Sequence, residues 1–190
     1  MGPVQGVGCI NELIGRLTNS PVHDRLQTKK TLLSSPKTFP VDRAMYVDFS
    51  HNNVMVSVFA TMTLFNQSNE PLNPTEPTKH GTWVISKIVP FSGHMTVERL
   101  SCSAHRHSCC FKISTHDVLE LDDDRSRGRL GRETRVEEDV RISVDDVSQP
   151  LEICSAGQDC MYILDDFVGS QECARNDGLG RFERCGYTGT

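Results

Sequence analysis

The chain has 190 residues, 37% hydrophobic and 24% charged, with a net charge of −5. That balance is globular and not disordered, and it is enough for one domain or for a portion of a larger one. The negative charge and the lack of a basic stripe argue against a nucleic-acid partner, and no run of eighteen apolar residues exists to span a membrane.

In chain order, residues 8–17 suit a short helix with Leu13, Ile14 and Leu17 on one side. Residues 19–40, rich in Ser, Thr, Pro and Lys, read as a long surface loop, and residues 44–49 as a strand. That β-prone run ends in a polar corner, Ser50-His51-Asn52-Asn53, and an apolar segment from Val54 to Phe65 follows at once. Val54, Val58, Met62 and Phe65 fit one helical face, although Val54, Val56 and Val58 also alternate. Length and the Ser/Asn-rich start favour a helix. The three prolines of 67–80 mark a loop. Residues 82–89 and 94–100 read as strands meeting near the Pro90-Phe91 turn, residues 140–147 as another strand, and residues 161–175 as a closing helix begun by Leu164-Asp165-Asp166-Phe167. The organisation is therefore α/β.

The corner is the most informative feature. It puts the His51 imidazole at the carboxyl end of a strand and at the mouth of a helix. Free backbone N–H groups and the helix dipole favour anions there, and open α/β sheets bind ligands outside their strand ends. For Asn52 the ordinary reading is a helix N-cap, a role Asn fills as well as Asp.

The stretch Met45-Tyr46-Val47-Asp48-Phe49-Ser50-His51-Asn52-Asn53 resembles the second signature of the histidine acid phosphatases, in their fungal phytase-like branch. Asn11 to Val22 and Thr38-Phe39-Pro40 match upstream. Trp83, Val89-Pro90-Phe91, Glu98, Cys102, Val140-Arg141-Ile142, Pro150-Leu151, Cys154 to Cys160 and Phe167 to Arg175 match downstream, in the same order. The resemblance covers about residues 2–102 and 140–187, and several motifs in one order are more specific than any one alone. It implies the carboxyl-terminal portion of a phosphoglycerate-mutase-like histidine phosphatase fold, incomplete here. The activity it implies is hydrolysis of phosphate monoesters such as inositol phosphates through a phosphohistidine, with no cofactor and no metal.

Two departures qualify that expectation. The family's nucleophilic histidine lies in an Arg-His-Gly-x-Arg motif, which these 190 residues do not contain. The family also has His-Asp where this chain has His51-Asn52. By resemblance the histidine binds the phosphoryl group and the aspartate protonates the leaving alcohol. An amide cannot deliver that proton, and general acid catalysis is typically worth ~10²–10⁴-fold in rate. The expectation is a chain inactive alone. The alternatives are a non-catalytic phosphate-ester-binding remnant and a truncated product that folds poorly.

Eight cysteines are present. By resemblance, Cys154 and Cys160 form a local disulfide, whereas the usual partners of Cys102 and Cys185 lie in an amino-terminal part. Cys9, Cys109, Cys110 and Cys173 have no counterpart in the resemblance. Asn66-Gln67-Ser68 is a glycosylation sequon where relatives also carry one. Relatives are secreted, yet the first residues lack a charged n-region and an apolar h-region, so a cytosolic location is expected of the chain as written. Residues 103–139 interrupt the resemblance and read as an atypical insert outside the core of a partial domain over residues 1–190. His105, His107, Cys109 and Cys110 are zinc-suited types, but adjacent ligands at 109 and 110 make a poor closed site. The run Asp122-Asp123-Asp124 reads as a solvated turn, followed by five arginines from Arg125 to Arg135. His94 stands where many relatives have arginine, and it reads as a surface histidine at a strand start.

Overall fold

A computed structural model describes residues 2–22, 30–66, 75, 81–102, 109–111, 137–151 and 160–179. Up to Thr61 its described elements are helices: α1 (Gly2–Gln5), α2 (Val7–Leu17), a single turn α3 (Lys30–Leu33) and α4 (Asn52–Thr61). After a second single turn, α5 (Ile85–Ile88), the strands β1 (Met95–Cys102), β2 (Cys109–Phe111), β3 (Glu137–Val144), β4 (Val147–Ser148) and β5 (Met161–Ile163) form one antiparallel sheet in the order β2-β1-β3-β4. Strand β5 also pairs with β3. The helices α6 (Leu164–Ser170) and α7 (Glu172–Arg175) close the described chain.

One apolar core joins the two parts. Alternation along β3 buries Val140, Ile142 and Val144, as the two-residue period of a strand requires. Against them pack Tyr162, Leu164 and Phe167, and beyond these Val7, Ile10 and Leu17 of α2 with Val58 and Phe59 of α4. Phe59 meets Phe65 edge to face at 5.6 Å between centroids. The Tyr162 hydroxyl donates to the Gln149 carbonyl at 3.2 Å and accepts the Leu151 N–H. That pairing meets the need of a buried phenol for a polar partner.

Helix α2 starts one residue before the expected 8–17 and ends where expected, and its buried face begins at Val7 and Ile10. Helix α4 ends at Thr61, because Thr63 and Phe65 adopt positive φ. Residues 85–88 are helical, not extended as the sequence suggested: Lys87 and Ile88 N–H groups both donate to the Val84 carbonyl. β-branched residues favour strands only where a neighbouring strand packs them, and β1 pairs with β2 and β3 instead. Strand β3 begins at Glu137, and a turn through Asp145 and Asp146, both at positive φ, leads into β4. The expected closing helix over 161–175 is divided. Residues 161–163 pair with β3, and Gln171, at ψ 42°, separates α6 from α7. Of 103–139, the two described stretches, 109–111 and 137–139, both pair with β1.

Residues 44–49 are not a strand. Among the described residues they pair with no other strand, and Met45, Val47 and Phe49 are exposed. The alternation is there, but the ladder that would use it is not.

Candidate functional site

His51 is the N-cap of α4, with extended backbone at φ −112° and ψ 160°. The cap position therefore belongs to His51, and Asn52 is the first residue of the helix. The reason lies in the hydrogen bonds. The His51 carbonyl already accepts from the Val54 and Met55 N–H groups, at 3.0 and 3.1 Å, as an N-cap carbonyl should. Asn52 Oδ1 accepts the Asn53 N–H at 2.8 Å, and Asn53 Oδ1 accepts the Val54 N–H at 3.0 Å. The two side-chain amides thus occupy donors that the sequence reading left free for an anion. His51, Asn52 and Asn53 are all exposed.

The approach to the corner is held from α2. Arg16 lies in the last turn of α2. Its guanidinium stacks on the rings of Phe39 and Tyr46, with the guanidinium carbon 5.2 and 4.9 Å from the two centroids. It also donates to both carboxylate oxygens of Asp48, the Nη2–Oδ1 contact being 3.3 Å, and lies 3.7 Å from Glu12. Sequence reasoning gave Arg16 and Asp48 no role. They are 32 residues apart, and no local spacing announces such a pair.

Helix α4 is positioned from its other side by a close seam. Ser57 Oγ lies 3.1 Å from Gln5 Oε1 and the Thr61 hydroxyl reaches the Pro3 carbonyl. Gly6 is so near that a Cβ there would sit 2.5 Å from the Ser57 carbonyl oxygen.

His94 immediately precedes β1, away from any described contact with the corner residues. Its backbone N–H donates to Asp145 Oδ1 at 2.9 Å, and its Nε2 is 3.2 Å from Asp146 Oδ1. The Asp146 hydrogen bond, foremost among its surroundings, raises the His94 pKa. This is the expected strand-start surface histidine, tied to the β3–β4 turn. Asn66 is exposed after α4, and Gln67 and Ser68 lie outside the described residues. Cys154 lies outside them too, and Cys160 forms no disulfide among them. His105, His107 and Asp122 to Asp124 also fall outside, while Cys109 and Cys110 belong to β2. Among the described residues no group of three His, Cys, Asp or Glu could hold a metal ion, and no helix is long and apolar enough to cross a membrane.

A family model, the histidine phosphatase superfamily (branch 2), matches residues 1–120. Phytase A of Aspergillus fumigatus is 42% identical over 124 residues, covering 64% of this chain and 26% of that protein. Phytase A of Emericella nidulans is 34% identical over 181 residues, covering 94% and 32%, and Phytase A of Penicillium oxalicum is 33% identical over 191 residues, covering 99% and 34%. The chain spans at most about a third of the length of these relatives. With nearly the whole chain aligned to such relatives and the signature corner at the mouth of α4, the chain belongs to the histidine phosphatase superfamily, branch 2.

Proposed function

We propose that this chain carries the phosphate-binding corner of a phytase-like phosphomonoesterase, with His51 contacting the phosphoryl group of an inositol phosphate or similar ester. The single observation that carries this reading is the placement of His51 as N-cap of a ten-residue helix within the signature stretch. There the imidazole and the positive end of the helix dipole address one anion. In the reaction of such an enzyme, a histidine nucleophile takes the phosphoryl group from the ester oxygen. Water then hydrolyses the phosphohistidine, so that one difficult displacement becomes two easier ones. These 190 residues contain no Arg-His-Gly-x-Arg, so the nucleophile is not among them. Asn52 holds the position of the proton donor, and its amide has no acidic proton to give the leaving alcohol. By itself this polypeptide binds the ester without turning it over. A Cys154–Cys160 disulfide, glycosylation at Asn66 and secretion belong to the same proposal.

Calorimetry with phytate tests it. The 190-residue chain should give saturable heat that His51→Ala abolishes, with no phosphate released from phytate or a phenyl phosphate at acid pH. Binding indifferent to His51→Ala would remove the corner from the site. Turnover above the His51→Ala background would overturn the non-catalytic reading.

A further inference from the structure

The segment that delivers His51 is held from one side. Among the described residues no strand pairs with residues 45–50, and Met45, Val47 and Phe49 point into solvent. The opposite parity, Tyr46 and Asp48, converges on Arg16: one offers a ring face, the other both carboxylate oxygens. Phe39 offers the guanidinium a second ring. The Arg16 side chain is only 16% exposed although it is charged, so the stack shields it from water. Asp48 stands three residues before His51, in a stretch that pairs with no strand among the described residues.

We infer that Arg16 is a positioning residue: its guanidinium, held over the rings of Phe39 and Tyr46 and forked onto Asp48, fixes the direction in which the chain enters the His51 corner. This rests on the phosphate-binding reading of His51 given above. The clamp needs arginine specifically. A planar, delocalised guanidinium lies over aromatic rings while its edge donates in parallel to a carboxylate. Lysine keeps the charge but has neither the plane nor the fork. A loosened entry segment lets the imidazole sample orientations away from the anion, and displacements on the order of 1 Å are enough to cost a positioned group much of its effect.

The test uses the 190-residue chain with phytate as the probe. Calorimetry is run on the wild type, Arg16→Lys, Asp48→Asn, the double variant and His51→Ala, and the His51 ring resonances are followed by NMR in each folded variant. Val144→Ala, in the sheet, serves as a destabilised control. Arg16→Lys and Asp48→Asn should each weaken binding roughly tenfold and move the His51 ring resonances. The double variant should be no worse than either single one, because both act through one clamp. Val144→Ala should leave affinity and resonances where they were. Unmoved His51 resonances in Arg16→Lys, or losses that multiply in the double variant, would overturn the inference. A wild type that binds no phytate, or binds it equally with His51→Ala, defeats the phosphate-binding reading instead. The ring resonances then still decide whether Arg16 orients His51.

Discussion

Replacing Gly6 with alanine should be strongly destabilising although its backbone, φ −82° and ψ −11°, suits any residue. The new Cβ would sit 2.5 Å from the Ser57 carbonyl oxygen and 2.8 Å from its carbon, whereas a comfortable carbon–oxygen contact is about 3.3–3.6 Å. The Thr61 hydroxyl is nearer still, and the Ser57 backbone cannot turn aside, so α4 must retreat by roughly 1 Å, and overpacking of this kind costs about 1–3 kcal/mol. Retreat also stretches the Thr61–Pro3 and Ser57–Gln5 bonds across the seam, each worth about 1 kcal/mol. Against these stands a gain of about 0.4–1 kcal/mol from a stiffer unfolded chain. The net is a loss of about 2–3 kcal/mol, which lowers a urea midpoint by about 1 M at a slope of about 2 kcal/mol/M. Gly169 supplies the control, since it lies inside α6 and a Cβ there would meet nothing within 4 Å. Gly169→Ala should raise the midpoint by about 0.3 M through helix propensity and chain entropy. Equal midpoints for Gly6→Ala and the wild type would refute the claim that this seam fixes α4.

Two further outcomes follow from the charges. The Asp146 hydrogen bond raises the His94 pKa above its ordinary 6.5, so its stabilising effect is full below that value and is lost as pH rises through the folded-state pKa. The urea midpoint of the wild type should therefore fall, relative to that of His94→Gln, as pH increases from the acid side through neutrality; a difference that grows with pH contradicts the pairing. Asn52→Asp should raise the melting temperature by about 1–3 °C, because a carboxylate in the first turn of α4 meets the helix dipole and still accepts the Asn53 N–H. The same change should weaken phytate binding at neutral pH by charge repulsion, and a variant that melts lower or binds more tightly would count against the assigned geometry.

How much of this was legible depends on whether the determinant was local. Helix α2, β1 and most of β3 follow from periodicity, and the ambiguous run after Asn53 is helical as its length and polar start implied. The failures share a cause. Residues 44–49 and 82–89 have strand-like composition, but a strand exists only where another backbone answers it. Neither stretch meets one among the described residues. Residue type points to Asn52 as the N-cap, because Asn is a better cap than His, whereas the chain turns at His51 and uses the Asn52 and Asn53 side chains on the next amides. Arg16 was silent in the sequence because its partners, Phe39, Tyr46 and Asp48, come from a different stretch of chain.

Those hydrogen bonds also limit how the corner can hold an anion. The first four N–H groups of a helix are its usual anion donors. Here Asn53 gives its N–H to Asn52 Oδ1, and Val54 gives its N–H to Asn53 Oδ1 and the His51 carbonyl. A phosphate can gain those amides only by turning the two asparagine side chains away. What it meets first is the His51 ring at the positive end of the helix dipole, the dipole's own share being about 0.3–1 kcal/mol at an exposed site. The direction of the imidazole therefore matters more than the number of donors, which gives a clamp three residues upstream its leverage over binding.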